Sequence, residues 1–212
     1  MTAVVDALRA LLPAGDLTCA LSDALGRGGA LDGTFRPVWP GACCAGEAVT
    51  VRTFGTDLSP VFGAIEVAEP GSVVVIDSHG IGGAAFWGER TTRAALARDL
   101  AGAVIDGGCR DVTAVRRLGF PVFSTAVVPN AGLPGGRGAV NVPIQAGGIP
   151  VSPGDLVVAD ENGVVIVPRD FAASTLERVR VLLAEEQQAF VQADRGVAVP
   201  PDATEEGRPR SE

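Results

Sequence analysis

The segment Ser72-Val73-Val74-Val75-Ile76-Asp77 constrains the fold more than any other stretch of the chain. A strand with one face in water alternates apolar and polar residues, whereas four consecutive branched apolar side chains require cover on both faces, as inside a sheathed sheet. Ala103-Val104-Ile105-Asp106 repeats the pattern and reads as a second buried strand. Between the two, Glu89 to about Leu100 reads as a helix with Ala94, Ala95, Leu96 and Ala97 inside it. Gly107-Gly108 reads as a turn that opens the next helix near Asp111. A helix-strand-turn unit of this kind returns the chain to a point near the start of its first helix.

That return gives meaning to a spacing. Glu89 is followed by twenty intervening residues and then by Arg110 and Asp111. Two carboxylates and a guanidinium suit a small oxo-acid anion handled with a divalent metal. A carboxylate holds a hard ion such as Mg²⁺ through oxygen, and an arginine grips a substrate carboxylate in a bidentate fork. Helix starts also expose unpaired N–H groups that attract anions. The same Arg-Asp pair at a helix start serves equally as a cap and a surface ion pair.

Composition removes rival chemistries. All seventeen basic residues are arginine. A Schiff-base aldolase, a pyridoxal-phosphate enzyme and a P-loop nucleotide site each need a lysine, so none can be built here. Tyrosine is absent and His79 is the only histidine, which leaves a zinc site without material and favours oxygen-ligated Mg²⁺ or Mn²⁺. Cys19, Cys43, Cys44 and Cys109 show no C-x-x-C spacing and read as reduced thiols of a cytoplasmic protein, Cys109 as a small buried hydrophobe. The net charge of -8, with no arginine cluster interleaved with aromatics, argues against nucleic acid as a partner. No run of eighteen apolar residues is present, and Met1 to Leu12 reads as an amphipathic helix rather than a signal peptide, so no membrane partner is expected.

A second helix is expected over Thr18 to Leu25, with Thr18 as its cap. Ala45 to Thr53 alternates as a strand, Pro60 to Ala68 forms a short helix, and the glycine-rich stretch Ser78 to Phe86 reads as a loop. Val112 to Leu118 is a short helix, Phe120 to Phe123 begins a strand, and Pro129 to Gly138 is a bland loop. Leu156 to Asp160 and Val164 to Val167 form a hairpin through Asn162-Gly163. A long last helix runs from about Arg169 to Ala193, with Leu176, Val179, Leu183 and Phe190 roughly on one face. One domain is expected over 1–196, followed by a disordered tail over 197–212 that lacks any apolar period.

The ordered set Ser22-Asp23-Ala24-Leu25, Gly46 to Val51, Glu69 to Asp77, Trp87-Gly88-Glu89, Val104 to Asp111, Pro121-Val122-Phe123, Val140-Asn141-Val142-Pro143, Val151 to Asp155 and Ala159 to Val165 resembles the RraA-like family. That family includes 4-hydroxy-4-methyl-2-oxoglutarate and 4-carboxy-4-hydroxy-2-oxoadipate aldolases, and the resemblance covers roughly residues 16 to 196. It implies an α/β sandwich like the swivelling phosphohistidine domain with a long C-terminal helix, assembled as a trimer or a dimer of trimers with the site between subunits. It implies further that Asp111 holds the divalent metal, and that Arg110 binds the pyruvyl part of an oxo-acid substrate and its developing enolate. The substrate carboxylate would meet backbone from Gly88 through Arg90 and Thr91. Glu89 would act through water, and Glu186, with Glu185 its nearest competitor, would come from a neighbouring subunit as a further acid. Two positions depart from the family: Glu89 stands where an aspartate is usual, and Arg90 and Thr91 stand where apolar residues are usual. The family also contains regulators that bind RNase E without known catalysis, and lyases or decarboxylases of other pathways, in which Arg90 would read an extra anionic group. His79 is a candidate for substrate contact or a solvated loop residue, and Asp106 for a partner of Arg110 or a turn former.

Overall fold

In the computed structural model, which describes residues 1–194, the run Val73–Ile76 is fully buried and its side chains alternate between two cores. Val74 and Ile76 face one core, Val73 and Val75 the other. This double cover is why the segment carries no polar alternation.

The chain opens with α1 (Thr2–Leu11), α2 (Leu17–Ala24), a two-residue edge strand β1 (Arg36–Pro37) and β2 (Cys44–Thr53). Three helix-strand units follow: α3 (Ser59–Val67) with β3 (Val73–Trp87), α4 (Glu89–Leu96) with β4 (Gly102–Cys109), and α5 (Val112–Leu118) with β5 (Val122–Val127). After them come β6 (Gly138–Val140), the hairpin β7 (Ile144–Ala146) and β8 (Ile149–Val151), the hairpin β9 (Leu156–Asp160) and β10 (Gly163–Val167), and α6 (Ala172–Asp194). Strands β2, β3, β4 and β5 lie side by side in parallel, as connections through helices require. Strand β1 flanks β5 antiparallel, and on the opposite side β9 pairs with the start of β2 and β10 with β9.

Helices α3, α4 and α5 cover one face of the sheet, where Val61, Ile65, Ala95 and Val115 meet Val51, Ile76 and Ile105. The β7-β8 hairpin and the segment around Phe35 cover the other. A third core lies under α1, α2 and α6, whose Leu8, Leu21, Leu176 and Val179 pack on Leu156, Val158, Val165 and Val167. The chain is thus an α/β protein with a layered sheet and a long C-terminal helix. No helix of the described residues is long and apolar enough to cross a membrane.

Several expectations need correction. The stretch Ser78 to Phe86 is not a free loop: β3 continues through it to Trp87, with three shifts of register against β4. Asp77 pairs with Asp106 and Trp87 with Cys109, so ten steps of β3 accompany three of β4. Gly107-Gly108 is part of β4 rather than a turn, because a Cβ on Gly108 would stand 2.5 Å from the Ala84 carbonyl oxygen. The glycines mark close backbone approach, an alternative meaning of glycine inside a strand. Helix α4 stops at Leu96, and Asp99 then adopts the left-handed conformation at φ 55°. Thr18 does not cap α2; its N–H and Oγ1 donate to the Asp160 carboxylate at 2.9 and 2.7 Å, tying α2 to the end of β9. In α6, Leu176 and Val179 are buried, but Phe190 is 57% exposed. The tail expected over 197–212, and the boundary at 196, lie outside the described residues.

Candidate active site

Strands β3 and β4 end together at Trp87 and Cys109, and the helices that follow start side by side. The Arg110 N–H donates to the Trp87 carbonyl at 2.9 Å, which closes the junction. Trp87 is fixed by stacking on Phe120, with centroids 5.8 Å apart, and by its indole N–H, which donates to Thr92 Oγ1 at 2.8 Å. Residues twenty-two positions apart in sequence therefore share one corner.

Asp111 sits at the N-terminus of α5 in the left-handed conformation, φ 55°, and its side chain does not cap its own helix. It reaches across to α4, where Oδ2 accepts the Glu89 N–H at 3.0 Å, and it lies 3.5 Å from Arg110 Nε. Gly88 makes this approach possible: a Cβ there would stand 2.7 Å from Asp111 Oδ2 and 3.0 Å from Arg110 Cγ. The backbone of Gly88 is extended, so space and not backbone freedom calls for glycine. Thr91 Oγ1 exchanges hydrogen bonds with the Gly88 N–H and carbonyl at 2.9 and 3.0 Å, so its hydroxyl is committed to capping. With the Glu89 N–H taken by Asp111 and that of Thr92 by the Gly88 carbonyl, the N–H groups of Arg90 and Thr91 are the first-turn donors left for an anion.

These groups face a cavity of about 370 Å³. Gly88, Arg90, Thr91, Arg110 and Asp111 form one side of it, and Leu58 before α3 and Phe62 within it, with Leu133 and Pro134, form the other. Arg110 and Asp111 keep side-chain exposures of 42% and 40%, enough to meet a ligand. A larger open groove of about 580 Å³ lies at the start of β3, beside Gly71 and Ser72. Its Arg9 already donates to the carbonyls of Ala45 and Gly71, and it contains none of the expected site residues, so the smaller cavity is the candidate site.

Glu89 does not line the cavity. Its carboxylate accepts Arg93 Nη2 at 2.7 Å and Nε at 3.0 Å, and Arg117 Nη2 approaches to 3.4 Å. Glu186 is exposed on α6, where its charge acts on Cys19 of α2, and it is not among the cavity's walls. Within one chain, Asp111 is therefore the carboxylate that meets the cavity. Among the described residues no three His, Cys, Asp or Glu side chains converge to hold a metal. A hard divalent ion that keeps most of its waters and takes one carboxylate still fits Asp111.

His79 lies apart, at φ 58°, with Nδ1 3.5 Å from Asp77 Oδ1 and a 58% exposed side chain. Asp106 is also away from Arg110; burial and the nearby Asp77 charge push its carboxyl above the ordinary value, and a backbone N–H from Gly147 partly offsets this. Cys109 is fully buried, and burial pushes its thiol up to about 12, as suits a small hydrophobe.

The wall formed by Leu133 and Pro134 was not legible as part of a site. A buried carboxylate, Asp57, holds that segment. Burial pushes Asp57 up, but N–H donors from Ser59, Arg137 and Gly135 outweigh it and hold the carboxyl well below the usual range. The Leu133 N–H bonds to the Thr56 carbonyl, and the Leu58 N–H to the Leu133 carbonyl. The sequence signal was Asp57-x-Ser59, an aspartate two residues before a helix start, facing a glycine-rich stretch.

The geometry defines an α/β protein with an anion-receptive cavity at the ends of two parallel strands, walled by two guanidiniums and one carboxylate. The model of the RraA-like family, described as Aldolase/RraA, matches residues 18–166, and the chain belongs to that family. A 4-hydroxy-4-methyl-2-oxoglutarate aldolase of Thermus thermophilus is 32% identical over 151 residues, covering 71% of this chain and 92% of that protein. Among solved structures, an uncharacterized protein from Pseudomonas syringae pv. tomato superposes with a TM-score of 0.81 at 31% identity, covering 94% of this chain and 96% of that one. Streptomyces coelicolor RraAS2, described as an unusual member of the RNase ES inhibitor RraA family, superposes with a TM-score of 0.73 at 29% identity, covering 89% and 95%.

Proposed function

We propose that this protein is a divalent-metal-dependent pyruvate aldolase that cleaves 4-hydroxy-2-oxo dicarboxylic acids to pyruvate and an oxo compound. The observation that carries the reading is the convergence of Arg110, Asp111 and the free N–H groups of Arg90 and Thr91 on one cavity.

The α4 N–H groups bind the carboxylate next to the 2-oxo group, which the helix start favours. Cleavage between C3 and C4 removes the 4-hydroxyl proton, makes C4 a carbonyl and leaves the electron pair as a pyruvate enolate, whose C3 then takes up a proton. Arg110 stabilises the negative charge that grows on the 2-oxo oxygen. Asp111 would hold Mg²⁺ or Mn²⁺, which would supply Lewis acidity in a chain that has no lysine for a Schiff base. The carboxylate that accepts the hydroxyl proton is Glu89 or Glu186. The engagement of Glu89 by Arg93 and Arg117 is the reason this reading favours Glu186, brought by a neighbouring copy, as the base. Exposed Phe54, Val127 and Leu133, together with Val181, Phe190 and Val191 on α6, support association of copies, and the family resemblance implies a trimer or a dimer of trimers whose copies complete one another's sites. Oxaloacetate decarboxylation leaves the same enolate and is a natural side reaction. Four free cysteines support a reducing, cytoplasmic setting.

The likeness to Streptomyces coelicolor RraAS2, of the RNase ES inhibitor family, raises a regulatory reading, which requires neither the cavity nor its charges. The assay that separates the two removes metal with a chelator, restores Mg²⁺ or Mn²⁺, and follows pyruvate release from 4-hydroxy-4-methyl-2-oxoglutarate and from oxaloacetate. Metal-dependent release, lost in Asp111→Ala, is expected. Release that is absent or indifferent to metal with both substrates overturns the aldolase reading.

A further inference from the structure

Two guanidiniums and one carboxylate of this chain face the cavity, so its charges do not balance internally. Arg110 has Asp111 beside it at 3.5 Å. Arg93 and Arg117, the other arginines near this corner, are committed to Glu89 and do not line the cavity. Arg90 has no carboxylate within ion-pair distance among the described residues. Nor is it loose: its guanidinium carbon lies 5.5 Å from the centroid of Phe62, on the α3 wall. A guanidinium resting on an aromatic face keeps its N–H edge free to grip a planar anion. Leu58 and Leu133 beside it leave room for the apolar part of a ligand and reduce water's screening of the charge.

We infer that Arg90 is the specificity-determining residue that selects oxo-acids carrying a second carboxylate at the end away from the pyruvyl group. The inference rests on reading this cavity as an oxo-acid site. The α4 backbone and Arg110 receive the 2-oxo acid end. Arg90, held against Phe62, receives the distal carboxylate, and the intervening carbons lie along Leu58 and Leu133. A monoanion of the same length leaves the Arg90 edge without an acceptor and binds more weakly.

The test is calorimetric binding of 2-oxoglutarate and of 2-oxopentanoate, a matched pair differing in the distal carboxylate, to the full chain in the presence of Mg²⁺. The wild type is expected to prefer the dianion by roughly 10- to 100-fold, the range for a charge-assisted contact. In Arg90→Gln the ratio of affinities collapses toward one, and Arg90→Lys restores part of it. A wild type without preference, a preference that survives Arg90→Gln, or equal loss of both ligands overturns the inference. So does a changed oligomer mass in Arg90→Gln, which would assign the side chain to a subunit contact. Because neither ligand needs to be cleaved, the result is independent of pyruvate release from 4-hydroxy-4-methyl-2-oxoglutarate. A collapsing ratio without turnover supports the role of Arg90 and sinks the aldolase reading alone.

Discussion

Gly88 shows how much of this site depends on one missing methyl group. An added Cβ would press on the Asp111 carboxylate, the movable end of a side chain, rather than on rigid backbone. Gly88→Ala should therefore fold with little change in Tm and lose on the order of 10²-fold in pyruvate release, because Asp111 is displaced while the fold is not. The thiols give a second check at this scale. Cys44 and Cys109 are buried, with burial pushing both up to about 12, whereas Cys19 and Cys43 are exposed. A thiol reagent at neutral pH should label Cys19 and Cys43 in the native chain and reach Cys44 and Cys109 only after unfolding. Arg110 and Asp111 were legible as a pair from spacing alone. The direction of Glu89 was not read, although its signal was present: Glu89 and Arg93 stand four apart on one helix face, an arrangement that draws the carboxylate along the helix.

At the scale of elements, buried strands declared themselves through apolar runs, and the Asn-Gly hairpin through its turn chemistry. Glycine-rich stretches did not, because glycine marks a turn and a close backbone approach with the same letter. Gly107 and Gly108 leave room for the winding part of β3, and Gly135 leaves room for Asp57, which its Cβ would meet at 2.7 Å. The segment that walls the cavity depends on that carboxylate. Since the folded state depresses the Asp57 pKa, the stabilisation it gives is fully present above the ordinary value of 3.8 and is lost as pH falls below it toward the native value. Amide exchange at Gly135 and Arg137 should accelerate in that acid range. In Asp57→Asn it should be fast at neutral pH already, with the sheet amides unaffected. Equal protection in the variant would show that the cavity wall is held by other contacts.

At the scale of the molecule, the α/β class and the long last helix follow from periodicity and from the ordered motifs, whereas any sharing of sites between copies depends on surfaces that one chain leaves uncovered. Glu186 does not line this chain's cavity, so the proposed assembly makes a specific demand. Asp111→Asn and Glu186→Gln chains should each be inactive, and coexpression should recover activity at roughly a quarter of the sites, those receiving an intact residue from each neighbour. A Glu186→Gln chain that keeps its activity would place the base at Glu89 instead, and two inactive variants that give no recovery in mixed oligomers would overturn the sharing of sites between copies. The buried run Val73–Ile76 also bears on how the chain reaches its fold. Its neighbours β2 and β4 are parallel and each is reached through a helix, so this uncharged, β-prone stretch stays uncovered until distant segments arrive. The residues that make the sheet interior secure are the ones through which half-folded chains would adhere to one another, and dilution during refolding protects them.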